Sequence, residues 1–136
     1  MSFGVLAWLV LTALIEAGAG LALLALPSRA AVLLLGAPLE THAALTVARV
    51  CGAGLLALGV ACWFARNDSQ SPAAKGLIGA MLVYNAATVA VLAHAGLSFG
   101  LHGVLLWPAV ILHGVMAAWG LDCLRRGISA MGRCDS

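Results

Sequence analysis

Charge is what this sequence has least of. Asp, Glu, Lys and Arg make up 9% of its 136 residues, and 63% are hydrophobic. A soluble domain carries about 25% charged residues, so a water-facing surface cannot be built from this supply. Basic residues are few as well: the formal net charge is +2, with no Lys/Arg-rich run and no basic stretch interleaved with aromatics. That excludes nucleic acid as a partner. The four cysteines (Cys51, Cys62, Cys123, Cys134) form no C-x-x-C pair and no zinc spacing. Cys51 and Cys62 share a helix face three turns apart, too far for a disulfide, and read as small hydrophobes buried or facing lipid. No C-x-x-C-H motif is present for covalent haem attachment. No nucleophile–base set, phosphate loop or pair of catalytic carboxylates is present either, so hydrolytic chemistry has no visible machinery.

Long apolar runs are what is there. Four stretches meet the length of about 20 residues needed to cross a bilayer: roughly 3–26, 42–65, 74–97 and 101–123. The fold class they imply is all-α: an integral membrane four-helix bundle of antiparallel up-down topology, one domain over 1–136. The opening "MSFGVLAWLV" lacks a basic n-region and its apolar run continues to Leu26. That is longer than a signal-peptide core of about 7–15 residues, so it reads as a retained helix. Between Pro27 and Pro38, "SRAAVLLLGA" is too short to span and too apolar for open water. It reads as a short interfacial or re-entrant helix capped by Ser28. Arg66, Lys75, Arg125, Arg126 and Arg133 fall on one side of a four-span chain, and the first loop offers only Arg29. The positive-inside rule therefore places both termini in the cytoplasm. Trp63, Phe64 and Trp119 then mark the inner interface, and Phe99 and Trp107 the outer one.

Each span carries a polar side chain at depth. Glu16, Asn85 and His113 sit at the midpoints of the first, third and fourth spans, and Arg49 lies about 7 Å outward of the second midpoint. Helical spacing gathers them on faces rich in small residues: Trp8, Thr12, Glu16, Gly20; Thr46, Arg49, Gly52, Ala53, Leu56; Met81, Asn85, Thr88, Leu92; and Ala109, His113, Ala117, Gly120. An Arg or Asp at a helix centre costs about 2.5 to 3.5 kcal/mol on the insertion scale, and Glu16 is treated alike. The expectation is therefore an ion pair of Glu16 with Arg49, supplemented by hydrogen bonds from Asn85 or His113. The cluster, with Thr12 and Thr88, is either a ligand-binding centre or a polar glue that fixes helix register.

Four histidines invite haem or metal. His102 and His113 stand about 16 Å apart along one helix and cannot share a metal. His42, His94 and His102 fall at outer helix ends, where ligation across helices is geometrically open, although interfacial histidines without a ligand explain them equally. In "LLWPAVILHG", Pro108 is expected to kink the fourth helix, opening a bay beside His113 and Trp107 for a quinone ring.

"ARVCGAGLLALGVACWFAR" (48–66) resembles the second-span signature of small bacterial four-helix membrane proteins of the DoxX-like group, with Arg49, Gly52, Leu58 and Gly59 as the landmarks. Glu16 and Gly18, Pro27, "YN" (84–85) and "LWPAVILH" (106–113) follow a similar order. The resemblance implies a bundle in a bacterial cytoplasmic membrane; the thiosulfate:quinone chemistry of some members does not transfer residue by residue. Three functions stand open. One is a small protein that binds a polar or amphipathic ligand in its centre, as an oligomer or in a complex. Another is an accessory subunit without ligand, and the third is a redox component handling quinone or haem.

Overall fold

The computed structural model describes residues 3–131, with side chains to residue 126, so Arg133 and Cys134 lie outside the described residues. Those residues form five helices and one 3-10 turn, with no strand among them: α1 Phe3–Ala25, α2 Pro27–Leu35, α3 His42–Ala65, the turn Arg66–Asp68, α4 Pro72–Phe99 and α5 Leu106–Met131. Four of them, α1, α3, α4 and α5, are long and apolar enough to cross a membrane.

Local chemistry sets the helix ends. Leu26 breaks α1 because the residue before a proline is pushed out of the helical region (φ −134°, ψ 55°), and Pro27 then opens α2 at its first position. Gly36 ends α2 in the left-handed conformation (φ 80°), which a side chain would resist. Thr41 and Ser71 cap α3 and α4, accepting from Ala44 N and Ala74 N at 3.1 Å each. Ser28 is not a cap, contrary to expectation: its hydroxyl accepts from Leu39 N at 3.2 Å and holds the loop after α2. Nor does Pro108 kink a helix. The fourth long helix starts at Leu106 rather than at 101, which puts Pro108 in the first turn, where a missing N–H costs little. His102 consequently lies in the connection before α5, not on it.

The helices pack as two pairs. In the first, α1 and α3 touch backbone to backbone. A Cβ added at Gly20 would lie 2.6 Å from Gly52 O and 2.7 Å from Leu56 N, and one at Gly59 would lie 2.9 Å from both Ala13 O and Ala17 N. Small residues permit this approach, which gives membrane helices their van der Waals contact. In the second pair, Gly96 lies against Leu106 and Trp107, Gly114 against Val89, and Asn85 bonds to His113. Within both pairs the partners run in opposite order along the two helices.

The pairs join at two levels. At the end holding the first residues of α1 and the α3–α4 turn, Val5, Trp8, Leu9, Ala13, Cys62, Ile78, Met81, Met116 and Cys123 form one buried cluster. There the Trp8 indole lies over Gly120 and donates Nε1–H to Met116 O at 3.0 Å. At the other end α2 is the clasp: Leu105 N donates to Leu33 O at 2.9 Å, and Gly103 lies against the Leu33 and Leu34 carbonyls. Beyond Glu16 and Asn85 toward that clasp, α1 buries only Gly20 and α4 only Leu92. The polar side chains therefore sit where the well-packed half of the bundle ends.

Candidate polar centre

Three of the four predicted inward faces are inward. Trp8, Thr12, Glu16 and Gly20 are all buried; so are Met81, Asn85 and Leu92, with Thr88 half-buried beside them. On α5, Gly120 is buried, and Ala109, His113 and Ala117 are half-buried. The α3 face departs from expectation. Gly52, Gly59 and Cys62 are buried, whereas Thr46, Arg49 and Ala53 are exposed and Leu56 is half-buried. Cys62 thus packs inside the bundle and only Cys51 faces out, although helical spacing alone puts them on one face. The difference is position along the helix, since Cys62 lies at the end where all four long helices meet.

Glu16 and Arg49 do not pair. Arg49 donates Nε–H to Leu24 O at 3.4 Å, eight residues, or about 12 Å, along α1 from Glu16. Matching the span midpoints sets Glu16 level with about residue 53 of α3. The contacts of Gly20 and Gly59 instead set it level with about residue 58, a shift of about 8 Å. The cause is α2. The first turns of α3 run beside α2 and past the end of α1, so the two spans are not aligned centre to centre.

Glu16, 2% exposed, takes its hydrogen bond from the Tyr84 hydroxyl. Tyr84 in turn meets the His113 ring edge to face, with centroids 5.7 Å apart and planes at 81°. Asn85 Nδ2 donates to Met81 O at 2.7 Å, which fixes its amide orientation and leaves Oδ1 as an acceptor. His113 Nδ1, 2.7 Å from that oxygen, must therefore carry the proton. In the neutral ring Nε2 is then an acceptor, without a partner among the described residues. Thr88 Oγ1 donates to Tyr84 O at 2.9 Å and steadies the tyrosine's turn. Thr12, one turn before Glu16 on the same face, is 1% exposed, and its hydroxyl has no hydrogen-bond partner among the described residues.

Tyr84 was the missing member. It is the only tyrosine in the chain, it stands in the middle of an apolar helix, and it immediately precedes Asn85. A lone phenol at membrane depth needs an acceptor, and the one carboxyl at that depth is the readable partner.

The remaining histidines do not gather. His94 Nδ1 lies 3.1 Å from Ser98 Oγ and its ring meets Phe99 edge-on at 5.0 Å. His102 Nδ1 is bonded to Gly100 O, and exposed His42 begins α3. Among the described residues no group of three or more His, Cys, Asp or Glu is placed to hold a metal. Trp107, exposed, packs against Gly96 rather than beside a kink. A pocket of about 300 Å³ lies on α2, lined by Ser28, Arg29, Val32 and Leu33, and does not include the polar centre.

No family model, curated protein or solved structure matches this chain.

Proposed function

We propose that this is a small multi-pass protein of a bacterial cytoplasmic membrane that binds a small polar or amphipathic ligand at the Glu16–Tyr84–His113–Asn85 centre, as an oligomer or in a larger complex. The observation that carries it is Thr12. A polar cluster that only glues helices needs every buried group satisfied, because an unpaired buried hydroxyl costs about 1–3 kcal/mol. Here a buried hydroxyl beside the carboxyl is left over, and the imidazole beyond Tyr84 keeps an unused acceptor. Both are capacity that a bound molecule would use. Arg66, Lys75, Arg125 and Arg126 lie at the end that holds the start of α1, which supports cytoplasmic termini. The DoxX-like pattern of residues 48–66 supports a bacterial four-helix membrane protein and assigns no chemistry.

The rival reading, a non-catalytic accessory subunit, rests on one specific feature. Glu16–Tyr84 joins α1 to α4 and His113–Asn85 joins α5 to α4, so the same groups also hold the bundle together. Native mass spectrometry from mild detergent separates the two. The binding reading expects a retained small molecule that is lost from a Thr12→Val, His113→Phe double variant. A chain of bare mass, alone or bound only to other protein, would favour the subunit.

A further inference from the structure

The chemistry of the unused atoms narrows the ligand, on the footing that the polar centre binds one. Glu16 has no basic partner among the described residues: Arg49 is bonded to Leu24 O, and the ion pair described is Arg126–Asp122 near the end of α5. A buried carboxyl without a cation must hold its own proton or receive a positive charge from outside the chain. Each group near it can accept a hydrogen bond. Beyond the carboxyl oxygens there are the Thr12 oxygen and, past Tyr84, the Nε2 of His113. A ligand anion would find no counter-charge here; a carbonyl could take the Thr12 hydroxyl as a donor but would bring no positive charge to the carboxyl. A primary ammonium, with three donors and no acceptor, finds a match.

The surroundings are otherwise apolar. Ile78, Met81 and Met116 belong to the buried cluster on one side of the centre, with Leu58 packed against it, and on the other side α1 buries Gly20 and α4 buries Leu92. No described basic group stands by the centre to meet a phosphate. From this we infer that the ligand is a lipophilic primary amine, its ammonium seated on Glu16 and Thr12 and its tail lying between the α1–α3 and α4–α5 pairs in the half where they pack less closely. Binding replaces the proton on Glu16 by the ammonium, so one proton is released for each amine that enters as a cation. The titratable groups facing Glu16 are Tyr84 from α4, Cys62 from α3 and, through Tyr84, His113 from α5.

The test is equilibrium binding of radiolabelled dodecylamine to the full chain in phosphatidylcholine nanodiscs, with empty discs as blank. Saturable binding of one amine per chain is expected, with excess unlabelled dodecanol failing to displace it. Glu16→Gln should weaken it about 10- to 100-fold, the size of a lost charge-assisted hydrogen bond, and Thr12→Val several-fold. Displacement by phosphatidylethanolamine would name a lipid headgroup as the natural source of the ammonium; no displacement would name a free amine. Equal competition by dodecanol, or undiminished binding to a folded Glu16→Gln variant, would overturn the inference. The alcohol comparison uses the unaltered chain and holds even if Glu16→Gln does not fold. A retained neutral molecule seen by native mass spectrometry, with no amine binding, would sink this inference and leave the ligand-binding centre standing. A bare chain with no amine binding would sink both.

Discussion

The seam between α1 and α3 makes a quantitative prediction. A methyl added at Gly20 would sit 2.6 Å from Gly52 O and 2.7 Å from Leu56 N, both backbone atoms that cannot rotate away. The helices would have to separate by several tenths of an ångström along a seam that also includes Gly59 against Ala13 and Ala17. Overpacking of this kind costs about 1–3 kcal/mol. Alanine also changes helix propensity, by up to about 1 kcal/mol in its favour in water, and that change must be removed. Gly18 supplies the control, since it lies on the same helix two residues away and a Cβ there meets nothing within 4 Å. The difference between Gly20→Ala and Gly18→Ala therefore isolates the seam, and it should be about 2 kcal/mol against Gly20→Ala. Reversible unfolding in mixed micelles, followed by far-UV circular dichroism, measures it. If the two variants unfold within about 0.5 kcal/mol of each other, the close backbone contact is not what holds α1 to α3, and the register argued from it fails too.

Two further outcomes follow from the hydrogen bonds. Tyr84→Phe should destabilise the bundle by about 1–3 kcal/mol and couple to Glu16→Gln in a double-mutant cycle, while Arg49→Leu shows no coupling to Glu16→Gln; the reverse pattern would restore the Glu16–Arg49 pair. Trp8→Phe keeps an aromatic ring in the cluster and deletes only the donor to Met116 O, so unfolding in the same micelles should show a loss of about 1 kcal/mol, and no loss would mean that this bond adds nothing across the two pairs.

How much was legible in the sequence depended on how each quantity is encoded. Length and hydrophobicity encode a spanning helix directly, and α1, α3 and α4 begin and end within about two residues of the apolar runs. Periodicity encodes faces, and it placed Glu16, Asn85 and His113 toward the interior because the stripes on α1, α4 and α5 keep helical spacing across their full length. The Asn85–His113 bond was reachable for a further reason: a connection of only six residues, Gly100–Leu105, ties α4 to α5 and leaves little freedom in their relative level. The level of α3 against α1 has no such tie. Sixteen residues separate Ala25 from His42, and nine of them fold into α2, whose packing no periodicity reports. An error of about 8 Å in that one offset was enough to give Glu16 the wrong partner.

That displacement alters what the buried carboxyl can be. Paired with Arg49, Glu16 would complete a neutral ion pair within one chain, and the cluster would be self-sufficient. At its actual level the carboxyl meets a phenol, and a phenol supplies a hydrogen bond but no charge. Arg49 is spent on a carbonyl at the end of α1. Helices α1, α4 and α5 therefore bring together one acid, one phenol, one imidazole and one idle hydroxyl without a cation to balance them among the described residues. If stability were the only requirement, a leucine at position 16 and a valine at position 12 would fill the same volume without desolvating a polar group. Both polar groups, next to each other and without a counter-charge among the described residues, are the feature on which the proposed site for a positively charged or donor-bearing guest rests.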